Sequence, residues 1–366
     1  MPETSGPEMF SETHARELSG LAVAQAWQLL LALATRARRA DPLTARTWFT
    51  LQRGVLCERP SATEAAGQAR GAQRASDAVP ASETLCIDPD GPSVLTVLAD
   101  ARAREQARAA SVREPGDEPL RRSSEAHTLL ELLLPLVVGR HATSLVVGHL
   151  GQSLDGRVAT PTGASKFITG HEDIVHTHRL RALFDAVIVG VRTVQLDDPQ
   201  LTTRHVSGPH PTRVILDPQG KLRAGFKVLD DATSPTLICS SLACVPVPRR
   251  VGHVSWLGLP CTDGRFALSE LRLRLAERGL SRLFVEGGGI TVSGFLAARA
   301  LDRLHVSVAP LILGSGAPAF KLPDIDQLDE ALSMRCRHFA LGPDVLFDCA
   351  LTPSWQRAAT PGAEAQ

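Results

Sequence analysis

The second half of the chain predicts an α/β domain, a largely parallel sheet with helices on both faces, and three observations carry that prediction. Between about Ser144 and Leu351, short β-branched apolar runs alternate with helical stretches, the pattern of strand–helix units that build parallel sheets. One run, Ala186-Val187-Ile188-Val189-Gly190-Val191, leads straight into Thr193-Val194-Gln195-Leu196-Asp197-Asp198-Pro199-Gln200-Leu201-Thr202-Thr203-Arg204. A buried strand there delivers polar groups to its carboxyl edge, where open α/β sheets bind ligands. Another run, Arg282 to Val285, passes into Glu286-Gly287-Gly288-Gly289 and then a helix. By itself such a glycine run is a tight turn as often as a loop whose N–H groups approach a diphosphate at a helix N-terminus.

Taken in order, the elements begin with a helix. From about Glu12 to Arg39, Leu18, Ala22, Ala26, Leu29 and Leu33 recur at three- and four-residue steps, which places them on one helical face. Pro60 to Ser82 is Ala, Gly, Ser and Gln with hardly a large apolar side chain, so it is expected to be a disordered loop near 60–83. A short apolar run, Val94 to Leu98, precedes an Arg/Ala/Glu helix-like stretch, a Pro- and charge-rich segment around Arg113 to Pro119, and a second apolar run, Leu129 to Val138. Residues 1–140 therefore read as a mainly helical extension. Strands are expected at Ser144 to His149, Ala186 to Val191, Thr212 to Leu216, Thr236 to Cys239, Arg282 to Val285 and Leu304 to Ala309, and helices at Glu172 to Leu183, Leu268 to Arg278 and Ile290 to Arg299. They form a second domain, 141–352, followed by a disordered tail, 353–366.

Composition narrows the function. Lys plus Arg and Asp plus Glu both total 39, and this balance argues against a generic binder of nucleic acid or of membrane surfaces. No stretch approaches the ~20 apolar residues of a membrane span. Met1 to Ser19 lacks the basic-then-apolar order of a secretory leader, so a cytoplasmic location is expected. The seven cysteines are scattered without a Cys-x-x-Cys pair, which fits reduced thiols better than disulfides or a zinc site. No metal is expected.

Six blocks in the second half share an order with a known family. Around the Thr193 to Arg204 segment they are Gln152 to Thr160 with its Ser153-Leu154-Asp155-Gly156, Gly163 to Thr169, His178 to Ala182, Arg213 to Asp217, Val285 to Gly289, and Ala309 to Gly314. Together they resemble the reductase domain of the riboflavin-biosynthesis deaminase/reductase enzymes. The resemblance implies a dihydrofolate-reductase-like fold and hydride transfer from NADPH to C1′ of a ring-opened ribosylamino pyrimidine phosphate. It implies cofactor contacts at Phe167, Thr193, Asp197, Gly288, Gly289, Ile290, Thr291 and Gly294, substrate contacts at Ser165, Arg181, Leu201, Arg204 and Glu286, and a homodimer. No catalytic side chain is assigned, because the cofactor carries the hydride and the fold positions the two carbons. Glu286 is either an acceptor for substrate hydroxyls or a plain strand cap, and Asp155 holds a turn or lies near the reacting carbon. Arg192, beside the strand end, reads as a partner for a 2′-phosphate.

Helix geometry adds that Arg179 and Arg181 point about 200° apart, so Arg181 faces the ligand and Arg179 stays a solvated charge. Two positions depart from the family: Phe167 stands where an indole is usual, and His149 where a lysine meets the pyrimidine. A neutral, shorter imidazole at His149 is expected to weaken that contact. The zinc deaminase of the bifunctional enzymes needs His-x-Glu and Pro-Cys-x-x-Cys. The first 140 residues carry neither, and His14-Ala15-Arg16 puts a cation where the acid/base would stand, so neither an active nor a degenerate deaminase is expected. Two other readings stay open, a reductase of another heterocycle such as a pterin-like compound and a non-catalytic nucleotide-binding protein.

Overall fold

The computed structural model describes residues 23–39, 47–52, 55–58, 84–87, 95–98, 125–138 and 144–351. The segment near 60–83 and the tail 353–366 lie outside the described residues, as does the helix-like stretch before Arg113. Backbone contacts divide the chain into Met1–Ala142 and Thr143–Gln366.

In the first unit, helix α1 (Val23–Arg38) buries Ala26, Leu29, Leu30 and Leu33, as the three- and four-residue spacing requires. Strands β1 (Thr47–Gln52), β2 (Val55–Glu58), β3 (Thr84–Ile87) and β4 (Leu95–Leu98) follow, then α2 (Glu125–Val137), apolar around most of its girth and packed on α1. Of the expected helix over about Glu12 to Arg39, Val23–Arg38 is described and is helical, but the unit also holds an antiparallel sheet in the order β2-β1-β3-β4, which the sequence reading did not contain. The step from Ile87 to Leu95 is too short for the crossover that parallel strands need, so β4 returns antiparallel.

The second unit runs β5 (Leu145–Ser153), β6 (Arg157–Ala159), α3 (His171–Leu183), β7 (Ala186–Gly190), α4 (Val191–Asp197), β8 (Thr212–Leu216), α5 (Lys227–Asp230), β9 (Thr236–Ser241), β10 (Arg249–Val251), β11 (Val254–Leu259), β12 (Cys261–Thr262), β13 (Arg265–Phe266), α6 (Leu268–Ala276), β14 (Arg282–Glu286), α7 (Gly289–Ala297), β15 (Arg303–Ala309), β16 (Ala317–Pro318), β17 (Arg335–Leu341) and β18 (Asp344–Ala350). Ten strands form one sheet, β10-β11-β9-β8-β7-β14-β5-β15-β18-β17. Its seven middle strands, β11 to β15, are parallel, while β10 and the β17–β18 hairpin close the two edges antiparallel.

All six expected strands and three expected helices are found. The other four strands of the ten, β10, β11, β17 and β18, were not expected. β17 reads Arg335-Cys336-Arg337-His338 and shows no apolar alternation, because it is an edge strand facing solvent over most of its length. The hairpin also brings two of the scattered cysteines together: Cys336 pairs with Cys349 in register, with their sulfurs 2.8 Å apart.

Successive residues of β14 face opposite sides. Leu283 and Val285 join the apolar core with Leu271, Leu275, Val292, Phe295 and Leu296 of α6 and α7. Phe284 and Glu286 point the other way, toward α3, whose Arg181 bonds Glu286. Returning from the β11 edge, the chain inserts β14 between β7 and β5, so the helices after β7 and β14 start side by side at the carboxyl edge.

Because β5 begins at Leu145 and the sheet is complete without earlier strands, a fragment starting at Arg140 is expected to fold. Circular dichroism of that fragment should show a cooperative melt; a broad, non-cooperative transition in soluble protein would count against this division.

Candidate functional site

The helix starts come first, because the backbone builds them. α4 leaves β7 at Gly190 and α7 leaves β14 at Gly288, and neither N-cap glycine has a side-chain cap bond. The leading N–H groups of both helices, up to Ile290 in α7 where the Thr291 N–H turns back to the Gly288 carbonyl at 3.0 Å, have no side-chain cap, and neither first turn carries a carboxylate. The glycines permit the crowding: a Cβ on Gly190 would lie 2.8 Å from Thr291 Oγ1, one on Gly287 2.7 Å from Thr291 Cβ, and one on Gly289 2.3 Å from the Ala319 carbonyl oxygen. Two uncapped, adjacent helix starts with backbone donors suit the diphosphate of a dinucleotide.

Most residues expected at the cofactor line this cradle. Thr193 Oγ1 lies 3.9 Å from a Cβ built on Gly288. Ile290 is exposed at the first turn of α7 and Thr291 follows it. Asp197 ends α4, its carboxyl raised by desolvation against the pull of Lys166, so the loop carrying Lys166 and Phe167 comes close to it. Phe167 is 81% exposed, an aromatic face with nothing covering it. Gly294 sits further along α7, with open space where a Cβ would stand. Arg192 is exposed in the first turn of α4. Three non-glycine residues of these loops adopt left-handed backbone, Phe167 (φ 63°), Asp198 (φ 40°) and Leu201 (φ 57°), a strain that accumulates at ligand-binding loops.

Beside the cradle lies a polar cluster. The Arg181 fork donates Nε to Glu286 Oε2 at 2.7 Å and Nη2 to Oε1 at 2.5 Å, and its Nη1 donates to the Thr202 carbonyl at 2.9 Å. Arg181 faces the carboxyl edge as helix geometry requires, but it is not a free cation; it is occupied in holding Glu286. Glu286 is thus more than a strand cap. The neighbouring cation, Arg204, is exposed, with Nη1 donating to Thr202 Oγ1 at 3.1 Å. Leu201 is buried, so its backbone rather than its side chain shapes the loop. Ser165 is half-buried on the loop before Phe167. Arg179 differs from expectation: it is half-buried, with Nε shielded from solvent, because α3 is covered more widely than one face.

Asp155 takes the turn role. Its carboxylate accepts from Ser153 Oγ and from the Leu313 and Gly314 backbone at 2.5, 3.1 and 2.7 Å, and these donors lower its pKa to about 2.

The sequence reading assigned no role to His178. Its Nδ1 accepts the Arg204 backbone N–H at 2.9 Å and its Nε2 lies 3.4 Å from Arg181 Nη1. Burial, then Arg181, His205 and Arg204, push its pKa down to about 3, so the ring stays neutral. His149 is buried, and its Nε2 lies 2.9 Å from Asp173 Oδ1. Asp173, Thr202 and Ser307 were not anticipated either. The one sequence signal for such a cluster is that His171, His176 and His178 fall within a single helix.

Two outcomes test this geometry. Gly289→Ala forces a Cβ onto the Ala319 carbonyl and should lower the melting temperature, whereas Gly294→Ala meets nothing and should leave it unchanged or raise it slightly; equal melts would disprove the crowding. For His178 the sign follows from linkage. An unfolded His takes up a proton below about 6.5 while the folded ring resists until about 3, so stability is complete above that window and falls as pH drops through it. His178→Asn, which keeps an acceptor near Nδ1 but does not titrate, should flatten the decline in melting temperature between pH ~6.5 and ~4.

Residues 144–347 match the model of the RibD C-terminal domain. The chain is 35% identical over 212 residues to the 2,5-diamino-6-ribosylamino-4(3H)-pyrimidinone 5′-phosphate reductase of Methanothermobacter thermautotrophicus, covering 56% of this chain and 96% of that protein. It is 36% identical over 198 residues to the riboflavin biosynthesis protein RibD of Aquifex aeolicus, of which it spans 54%. The crystal structure of the diaminohydroxyphosphoribosylaminopyrimidine deaminase/5-amino-6-(5-phosphoribosylamino)uracil reductase of Thermotoga maritima matches with a TM-score of 0.53 and 20% identity, over 90% of this chain and 99% of that one. That likeness is one of fold, and it bears out the dihydrofolate-reductase-like sheet. The family match covers more than half of the chain and the Methanothermobacter reductase is matched almost end to end, and on these grounds the chain belongs to the RibD C-terminal domain family.

Proposed function

We propose that the chain is an NADPH-dependent reductase of a phosphoribosylated aminopyrimidine in riboflavin biosynthesis, acting in the cytoplasm as a homodimer. The observation that carries this reading is the juxtaposition, at one sheet edge, of two uncapped helix starts with the Arg181–Glu286–Arg204 cluster. One side suits a diphosphate and the other a polyhydroxylated phosphate ester.

The cradle would hold the cofactor through the N–H groups of Gly288 to Ile290 and of the α4 start, with Thr193 between them and Phe167 against a ring. When bound, the nicotinamide supplies the hydride. The protein's own share is positioning. Arg181 fixes the Glu286 carboxylate so that its remaining lone pairs face ribose hydroxyls. Arg204, with a fork not fully spent, is the cation for the 5-phosphate, and Ser165 adds a hydroxyl from the facing loop. Leu201, in left-handed backbone, turns the chain so that Thr202 and Arg204 meet Arg181. Arg192, exposed at the α4 start, is the group offered to a 2′-phosphate and favours NADPH over NADH.

Steady-state reduction of the ribosylaminopyrimidine phosphates named for the relatives, with NADPH and with NADH, tests the reading; absence of turnover with both cofactors would refute it. Arg204→Ala should raise KM for the phosphorylated substrate roughly tenfold or more with an unchanged melting temperature, since it loses one charge-assisted contact of about 1.5–3 kcal/mol. Arg181→Ala should raise KM and also destabilise the protein by about 3 kcal/mol, because it strands a partly buried Glu286. An Arg204→Ala enzyme with unaltered KM would remove that residue from the substrate site.

A further inference from the structure

His149 ends differently from its sequence-level expectation, and the reason is a carboxylate with no other cation. Both side chains are buried, His149 at 6% and Asp173 at 4% exposure. The imidazole Nε2–H donates to Asp173 Oδ1 at 2.9 Å, and the Ser307 hydroxyl donates to the same oxygen. Gly151, two residues on from His149 and on the same sheet face, leaves room there chiefly for Thr169, whose Cγ2 would lie 2.8 Å from a Cβ, with Asp173 Oδ2 at 3.4 Å beside it.

The groups around the pair fix where the charge lies. From α3 come Asp173, His176 and Arg181; from β14, Glu286, in register with His149; from β15, His305, also in register, and Ser307. Arg181 is bound through two nitrogens to Glu286, so that pair is neutral as a unit. His176 turns to His305, with Nε2 and Nδ1 3.0 Å apart, and His305 faces Asp348. That carboxylate is already met by Arg303 at 2.6 Å and by Arg337 at 2.6 Å, so it has no need of an imidazolium. Asp173 has no arginine or lysine partner among the described residues. A buried carboxylate without a counter-charge is costly, and the group in place to supply one is His149.

We propose that Asp173 is a positioning residue that keeps His149 an imidazolium, so that the pyrimidine end of the substrate site presents a fixed cationic donor and selects a heterocycle whose facing edge is a carbonyl. The proposal rests on the reductase reading above. With Nε2–H committed to Asp173, the second proton sits on Nδ1, and what the ring offers a ligand is a donor. A carbonyl oxygen satisfies it and an exocyclic amine does not. The electrostatics agree in direction: although burial opposes it, the Asp173 charge and hydrogen bond and the Glu286 charge raise the His149 pKa, while Asp173 is held well below the usual carboxylate range. The His149 contact is then not the weak neutral one that the sequence suggests, but a cation supplied by two residues instead of one.

The full-length protein tests this on two independent readouts. In NMR titration of nitrogen-labelled histidine, His149 should titrate above 6.5 in the wild type and below it in Asp173→Asn; a wild-type ring that is neutral at neutral pH, or one indifferent to Asp173→Asn, overturns the proposal. In kinetics, Asp173→Asn should raise KM for the ribosylaminopyrimidine phosphate about tenfold near neutral pH and leave NADPH affinity unchanged. The double variant Asp173→Asn/His149→Lys should regain most of the loss, because an ammonium needs no carboxylate to stay charged there. Failure of that rescue in folded protein would make the pair merely structural and sink the proposal. Ser307→Ala, which removes a neutral donor only, should shift KM far less, and an equal effect would also count against the assignment. If the wild type turned over no such substrate, the reductase reading would fail, while the titration would still decide the charge on His149.

Discussion

One row of ionisable side chains crosses five adjacent strands, and this half of the sheet is organised around giving each of its charges a partner. Glu286 on β14, His149 on β5, His305 on β15, Asp348 on β18 and Arg337 on β17 are consecutive partners in register. In-register residues share a face of the sheet, so the row is continuous. A row of charges under a helix would be ruinous without partners, and α3 provides them, with Arg181 on Glu286, Asp173 on His149 and His176 on His305. The far end is closed by Arg303 and Arg337 on Asp348. Even the entry of α3 is tied to this system, since Asp344 of β18 accepts the Gly170 N–H at 2.6 Å.

This arrangement explains a division of labour between the two faces. The face under α6 and α7 is apolar, with Leu271, Leu275, Phe295 and Leu296 interlocking with Val146, Ile188 and Val285, and it fixes where α7 begins. A site that holds a diphosphate by main-chain donors needs that backbone placed rigidly, and dense apolar packing does so without competing polar groups. The α3 face is polar where it meets the site, and each charge there is held in place by a partner of its own. Arg213, fully buried and donating to the Gln200, Asp231 and Ser234 carbonyls, ties the loop that leads to Arg204 to the sheet in the same way.

How much of this was legible in the sequence follows from the range of each interaction. β7, β8 and β14 announce themselves as β-branched runs, and the glycines after them announce the cradle, since both signals are local. The placement of Arg181 on the ligand side needed only the helical period. That the fork is spent on Glu286 could not be read, because the partner is 105 residues away. The polar face of α3 was hidden for a related reason: periodicity arguments look for an apolar stripe, and the buried face of this helix includes Asp173, His176, His178 and Arg181 beside Leu180 and Leu183. β17 escaped notice because an edge strand carries no two-sided apolar pattern, and the strands of the first unit because runs of four to six residues are too short to establish a period of two.

Four buried histidines lie within or beside the row, and competition for carboxylates decides their charges. His176 and His305 are pushed toward the neutral form chiefly by burial, and His178 chiefly by burial and then by Arg181. Only His149 is raised, and burial cannot be the cause, since it acts in the opposite direction on all four rings. The difference lies in the second partner of each carboxylate. Asp348 answers to two arginines and has little left for His305, whereas Asp173 answers to a hydroxyl and to His149. A chain that places histidine beside a substrate site near neutral pH must settle its protonation by such means. Here the decision is made by which strands carry arginine: Arg303 and Arg337 lie on β15 and β17, beyond the site, and neither bonds Asp173.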